Sequence, residues 1–595
     1  MADAKPAGTV HPDAIPTTAW PRRRVLKAIA ATGIGSAVFG RAVVAVAEDA
    51  PRVTAGMIKK AEWISGLTLT GDDRKMMLDG INEALADYAA LRKVAVDNGV
   101  APALQFNPDP AGRLAAAAPP RRGPAPPRPE GLKRPQSDDD LAYAPVATLA
   151  SLLRARQVSS MELTRLYLGR LERFDPKLLC VITLTEDLAL RQAQVADREL
   201  ASGIDRGPLH GIPWGAKDLL AVPGYRTTWG SVPFKEQQRS EKATVVTRLE
   251  EAGAVLLAKL SVGELAWGDV WFGGTTKNPW NLEQGSSGSS AGSASATAAG
   301  LMGFAIGTET WGSIVSPCTR CGASGLRPSF GRVSRHGCMA LCWTMDKIGP
   351  IARTVRDCAL VFQAIHGADG LDACAVDRPF EWPAPREARA LRVGFVRSLF
   401  EEDRTADMED AGEDQKTRAR EWQANDLKTL DELRDMGIDL VPIELPKEPP
   451  VMPLALILGA EAAAAFDELT RSGRDDLMVR QIANAWPNVF RQAQLTPAVE
   501  YIRANRIRTL LMRAWDAALA DVDCYVCPSY GGDNLLANNL TGHPCVVAPN
   551  GFTSKDGTPT SITFVGKLHG ESDLLALATA WQEATSYHLQ RPPLA

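Results

Sequence analysis

Lys217, a glycine- and serine-rich run at positions 285–295 and an isolated Ser313 set out the chemistry this chain could perform. The lysine closes Gly211-Ile212-Pro213-Trp214-Gly215-Ala216-Lys217, and the serine closes Gly307-Thr308-Glu309-Thr310-Trp311-Gly312-Ser313. A serine hydroxyl is a weak nucleophile at neutral pH and needs a base. A lysine stripped of water can serve, because desolvation disfavours its ammonium form. Its pKa must then fall from about 10.4 into the neutral range, which requires burial with no carboxylate close by. Asp218 is the next residue, so its side chain has to point away. Serine-rich sequence is often flexible linker, but this run continues into the small residues 294–300 and the apolar Leu301-Met302-Gly303-Phe304-Ala305-Ile306, the pattern of a buried helix and strand. The residues describe a serine hydrolase that works without histidine.

Several further segments stand in a fixed order: 152–164, Gly207-Pro208-Leu209-His210-Gly211-Ile212-Pro213, Gly288-Ser289-Ser290-Ala291-Gly292-Ser293-Ala294, 322–334, Met345-Asp346-Lys347-Ile348-Gly349-Pro350 and Leu540-Thr541-Gly542-His543-Pro544. Together they resemble the amidase signature family, serine amidases with a Ser-cisSer-Lys triad, from about Asp139 to the C-terminus. The resemblance implies Ser313 as nucleophile, Ser289 as bridging serine after a cis peptide bond, Lys217 as base and Ser290 as the residue holding Lys217. Ser289 stands 24 residues before Ser313, the family's spacing, whereas Ser286 stands 27 before it. Backbone N–H groups of Thr310, Trp311, Gly312 and Ser313 would form the oxyanion hole. The implied activity is hydrolysis of a small-molecule carboxylic amide to carboxylate and ammonia or amine through an acyl-enzyme, with no cofactor. The implied fold is α/β, a mixed central sheet sandwiched by helices. The chain departs from the family's Asp-x-Gly-Gly-Ser-x-Arg at three places: Glu309, Trp311 and Val315. Trp311 narrows backbone freedom in a tight turn, and Arg320 is near enough to replace the missing arginine beside the acidic residue.

The elements that must position these groups follow from periodicity. Apolar residues at helical steps predict a small helical extension over 48–107, its second helix starting near Thr70. A proline-, alanine- and arginine-rich linker over 108–137 separates it from a catalytic domain over 138–595. Within that domain, 147–173 reads as a helix pair, and 178–184 and 255–258 as strands. A second αβ unit runs from 391–396 through a charged helix to 439–443, with the acidic stretch 401–414 as solvated surface. Residues 1–47 read as a twin-arginine-type signal peptide, with Arg22-Arg23-Arg24 ahead of an Ala/Gly-rich stretch. The protein is therefore expected to be exported, to the periplasm or outside, with no membrane span after cleavage.

The chain has 595 residues, with 66 basic and 70 acidic side chains giving a formal charge of −4, which argues against a nucleic-acid partner. Ten cysteines include two C-x-x-C pairs, Cys318/Cys321 and Cys524/Cys527. The second reads as a strand whose two thiols face opposite ways, so buried thiols are expected and no metal site. A homodimer is left open. Three other readings compete. Gly288-Ser289-Ser290-Ala291-Gly292 matches the G-x-S-x-G nucleophile elbow, with His543, His569 or His588 as base, but lacks a buried strand before it. A catalytically impaired, amidase-like binding protein could use the tryptophans around the motifs, although each is more simply a core residue. A glutamine-hydrolysing component of an amidotransferase, of the A type, is the third; the export signal and proline-rich stretch argue against it.

Overall fold

Among the described residues, eleven strands form one sheet: β1 (Val181–Leu184), β2 (Pro213–Lys217), β3 (Val255–Leu260), β4 (Phe304–Glu309), β5 (Ser324–Arg327), β6 (Lys347–Ala352), β7 (Arg392–Val396), β8 (Asp439–Ile443), β9 (Cys524–Pro528), β10 (Cys545–Phe552) and β11 (Pro559–Gly566). Their spatial order is β1-β3-β2-β4-β6-β5-β10-β11-β9-β7-β8. The pairs β3/β2, β2/β4, β9/β7 and β7/β8 are parallel, and the centre from β4 to β9 is antiparallel. The expected mixed sheet is borne out. This is a computed structural model, and it describes residues 53–96, 102–104, 132–406, 408 and 411–594.

The central strands are buried along their whole length, as strands covered on both faces are. All residues of β2, β3, β4 and β6 are buried, and their side chains share one core with the helices Val146–Arg154, Ser160–Leu178 and Val355–Ile365. The helix ending at Leu178 is longer than expected. It stops where Leu179 turns left-handed at φ 51°, which starts the first strand at Val181. The second αβ unit appears where the pattern placed it, with the charged helix Glu413–Asp435 between β7 and β8.

The chain divides into two compact units, one ending at Leu85 and one from Ala86 onward. In the first, helix Ala55–Ser65 is capped by Thr54, whose side chain accepts from the Met57 amide. The next helix begins with a reciprocal cap: the Thr70 amide donates to Asp73 at 2.9 Å and the Asp73 amide to Thr70 Oγ1 at 3.1 Å. Its last turns, from Ala86, belong to the second unit, where Leu91 is fully buried and Arg92 pairs with Glu500 at 2.6 Å. The proline-rich stretch lies largely outside the described residues, as does the whole of 1–52.

Candidate functional site

Lys217 is the last residue of β2 and is wholly buried. Its Nζ donates to Ser289 Oγ at 2.9 Å, Ser290 Oγ at 3.0 Å and Thr308 Oγ1 at 2.8 Å, with the Thr308 carbonyl at 3.4 Å. No carboxylate touches it among the described residues. Burial lowers its pKa to about 7, against weaker upward pulls from Cys338, Asp346 and Glu309.

Asp218, the first residue of the turn after β2, points away from Lys217. Its carboxylate pairs with Lys259 at 2.5 Å and accepts from the Thr228 amide at 2.8 Å and hydroxyl at 2.5 Å, with both charged side chains fully buried. Lys259 also donates to the Arg226 carbonyl and Thr227 Oγ1, each at 2.9 Å. The carboxylate next to Lys217 in sequence is thus neutralised by a lysine on β3.

The serine-rich run turns from a short strand, Asn281–Gly285, into helix Ala291–Ala298. The Gly288–Ser289 peptide bond is cis. A side chain at Gly292 would come within 2.3 Å of the Cys180 carbonyl and 2.6 Å of the Ser261 amide, so the small residue permits the close approach. Ser290 Oγ donates to the Thr308 carbonyl and accepts from the Thr308 amide, both at 3.1 Å. Its proton is committed, so toward Lys217 it acts as an acceptor. Ser289 has no other hydrogen bond among the described residues, leaving its proton free to turn toward the lysine nitrogen. The Ser290 amide donates to the Ser313 carbonyl at 3.1 Å, tying the two serine segments together.

Ser313 is 8% exposed, against 1% for Ser289 and 0% for Lys217. It follows Gly312, whose φ of 82° is the one left-handed residue in this turn, so Trp311 sits in ordinary backbone. The tryptophan does not strain the turn; its indole is 38% exposed. Among the described residues the amides of Trp311, Gly312 and Ser313 donate to no backbone or side-chain acceptor. The amides of Ile314 and Val315 instead donate to Glu309 Oε2 at 2.8 and 2.9 Å.

Glu309 is fully buried, and its partner is Arg327, at 2.7 Å, rather than Arg320. Arg320 donates to Gln284 at 3.2 Å. Burial alone would push the Glu309 carboxyl up; the Arg327 guanidinium and several hydrogen bonds, Asn539 among them, hold it down at about 2. Sequence proximity misled because β5, which carries Arg327, is one strand removed from β4 in the sheet. Thr308, which bonds Lys217 directly, was also missed; it stands inside the Ser313 motif but carries no signature of its own.

The elbow reading fares poorly. The preceding strand is short, lies outside the large sheet and is not buried. His543 is held by Thr541 Oγ1 at 2.8 Å, and burial lowers it to about 3. Most motif tryptophans are packing residues: Trp229 against Phe234 and Phe466, Trp267 against Trp486, and Trp280 donating to the Cys321 carbonyl. Trp311 and Trp343 are the exposed pair, at 38% and 47%. All ten cysteines are free, and eight are buried.

Comparison with known proteins bears on the same segment. The Amidase family model matches residues 162–538. The A-type subunit of the glutamyl-tRNA(Gln) amidotransferase from Roseiflexus sp. (strain RS-1) is 36% identical over 482 residues, covering 74% of this chain and 96% of that protein. Its counterpart from Moorella thermoacetica is 33% identical over 499 residues, covering 76% and 99%. The native peptide amidase of Stenotrophomonas maltophilia superposes with a TM-score of 0.65 at 30% identity, covering 76% of this chain and 98% of that one.

These relatives overturn the expectation of an exported protein in the periplasm or outside: they match nearly end to end and are named for glutamyl-tRNA(Gln). Paired arginines ahead of an Ala/Gly-rich stretch form a short pattern that any basic, alanine-rich tail supplies, and here it lies outside the described residues. The objection that export raised against a tRNA-linked role falls with it. No helix among the described residues is long and apolar enough to cross a membrane. Matched by the family model over more than half its length, and by relatives above 30% identity that it covers almost completely, the chain belongs to the amidase signature family.

Proposed function

We propose that the protein is a serine amidase that hydrolyses a carboxylic amide to carboxylate and ammonia or amine, with the segment from 138 onward carrying the chemistry. The supporting observation is a buried Lys217 that touches three hydroxyls and no carboxylate. In this reading Ser313 Oγ attacks the amide carbon and passes its proton to Ser289, which passes its own to neutral Lys217. The C–N bond then breaks as the leaving amine takes that proton; water next gives a proton to the same relay as it attacks the acyl-enzyme, and that proton returns to Ser313 as the acyl group leaves as carboxylate. The uncommitted amides of Trp311, Gly312 and Ser313 would receive the oxyanion. Ser290, held from both sides by Thr308, fixes the lysine.

A fluorophosphonate probe tests this. It is expected to modify Ser313, located by peptide mass spectrometry, at a rate that rises through a midpoint near pH 7 as Lys217 loses its proton. Modification of another serine, or none, would remove the assignment.

Lys259 matters to the same base through Asp218. Lys259→Met leaves a buried carboxylate unpaired beside the end of β2. To the extent that it stays ionised, it favours the ammonium of Lys217 and moves the midpoint above 7. The Asp218→Asn/Lys259→Met pair should return the midpoint toward 7; a profile indifferent to both would show the pair to be structural only.

A second reading is favoured by the identity to A-type amidotransferase subunits: glutamine as the amide, with ammonia passed to a partner. Glutaminase activity that depends on added partner proteins is its test.

A further inference from the structure

The last turns of the helix that ends at Lys93, with residues 94–96 and 102–104, precede the stretch that the Amidase family model matches, yet they are fastened to it. Arg503, on helix Ala498–Ala518, donates to the Leu91, Arg92 and Val94 carbonyls at 3.4, 3.2 and 3.2 Å, at a helix end whose carbonyls lack partners further along the helix. Arg92 answers with two bonds to Glu500, at 2.9 and 2.6 Å, and the Ala103 amide donates to the Asn505 carbonyl at 3.0 Å. Leu91 shares one core with Ala504 and Ile507 of that helix, and with Ile314 and Val315, which follow Ser313.

The same helix also holds the loop 341–346. Tyr501 and Arg508 stand two turns apart and so on one face. Arg508 donates to Thr344 Oγ1 and to the Thr344 carbonyl, both at 2.7 Å, and to the Leu540 carbonyl at 2.5 Å. Tyr501 donates at 3.0 Å to Glu461, which also accepts from the Thr344 amide at 3.0 Å and the Thr344 hydroxyl at 2.7 Å. Two residues on, Asp346 accepts from the Leu341 and Cys342 amides at 2.8 and 2.9 Å and from the Thr310 hydroxyl at 2.6 Å. Thr310 opens the turn whose amides would receive the oxyanion. A packed helix carries its two ends together, so what seats it against Leu91 and Arg92 also sets Thr344, and through Asp346 the turn.

Resting on the amidase reading, we infer that segments 86–96 and 102–104 are a built-in clamp: seated on helix Ala498–Ala518, they keep Tyr501 and Arg508 on the Thr344 loop and thereby fix Thr310 and the oxyanion donors. Arg503, Arg508 and Glu461 are positioning residues for acyl transfer.

Arg503→Met in the full-length chain removes the grip on the three carbonyls without touching the loop. Labelling of Ser313 by the fluorophosphonate should then be about tenfold slower at saturating probe. Probe affinity and the pH midpoint near 7 should stay as they are, because displaced oxyanion donors slow bond formation and leave Lys217 unchanged. Hydrogen exchange of the segment 338–348, read by mass spectrometry, should be at least fivefold faster, since it reports the Leu341 and Cys342 amides. Arg503→Lys, which keeps a cation at the same carbonyls, should show both effects at about threefold, and it carries the test if the methionine variant fails to fold. Parent-like labelling, with or without faster exchange, or slowing that comes from weaker probe affinity, would overturn the inference. Faster exchange in variants of a protein whose Ser313 never labels would leave the clamp standing and remove the amidase reading.

Discussion

Lys217→Ala is expected to lower kcat/KM by about a hundred- to ten-thousand-fold, the range a positioned general base supplies. Ser313→Ala is expected to abolish acyl-enzyme formation altogether. Because the two residues act in one proton chain, the double variant should be scarcely worse than Ser313→Ala alone. A double variant that multiplied the two single losses would break the proposed chain.

The same lysine makes a linked stability prediction whose sign can be worked out. The native state releases the Lys217 proton at about 7, whereas the unfolded chain releases it near the ordinary 10.5. Between those values the unfolded chain holds a proton that the native state lacks, so stability from this residue rises with pH. Below about 7 the native state carries a buried ammonium, a cost on the order of 5 kcal/mol before its hydrogen bonds offset part of it. Lys217→Met, which keeps the volume and removes the charge, should therefore be inactive yet gain stability relative to the parent most at pH 6 and least near pH 10. Denaturant unfolding at those two pH values reads the difference. A Met variant that lost stability most at pH 6 would show that the hydrogen bonds of Lys217 outweigh the burial of its charge.

Much of this site was legible in the chain because its signals are local. Small residues at 288–300 demanded close backbone approach, and Gly292 against Cys180 and Ser261 shows where it occurs. The requirement that Asp218 turn from Lys217 followed from the need for an uncharged lysine. What stayed hidden was set by register between distant strands. Lys259 reaches Asp218 because β3 lies beside β2 with Leu260 opposite Lys217. Arg327 reaches Glu309 from a strand on the far side of β6. Neither pairing leaves a trace in spacing, so the nearest basic residue, Arg320, looked like the partner. The N-terminal segment failed for the opposite reason: a short local pattern was read as an export signal, against relatives named for glutamyl-tRNA(Gln).

Arg327→Met is expected to destabilise the protein by about 3 to 5 kcal/mol, the usual result of stripping one member from a buried ion pair. Glu309 would be left without its counter-charge in a site that excludes water, and it anchors the turn around Ser313 through the Ile314 and Val315 amides. With Arg327 in place its carboxyl titrates at about 2 instead of the ordinary 4.5, so its contribution is present above 4.5 and is lost as pH falls through 2. Removing the guanidinium reverses this: the carboxyl now prefers its proton, and the deficit against the parent should be larger at pH 7 than at pH 4. Activity should fall as well, because a carboxyl that takes up a proton grips the two amides less firmly and the oxyanion donors lose their fixed positions. Glu309→Gln/Arg327→Met keeps the shape, removes both charges and should recover much of the lost stability, since a buried pair contributes little over a neutral isostere. Denaturation midpoints of the single and double variants at the two pH values decide the matter. A single variant as stable as the parent would mean that Glu309 is held by Asn539 and the loop amides alone, and that Arg327 is not what keeps the turn in place.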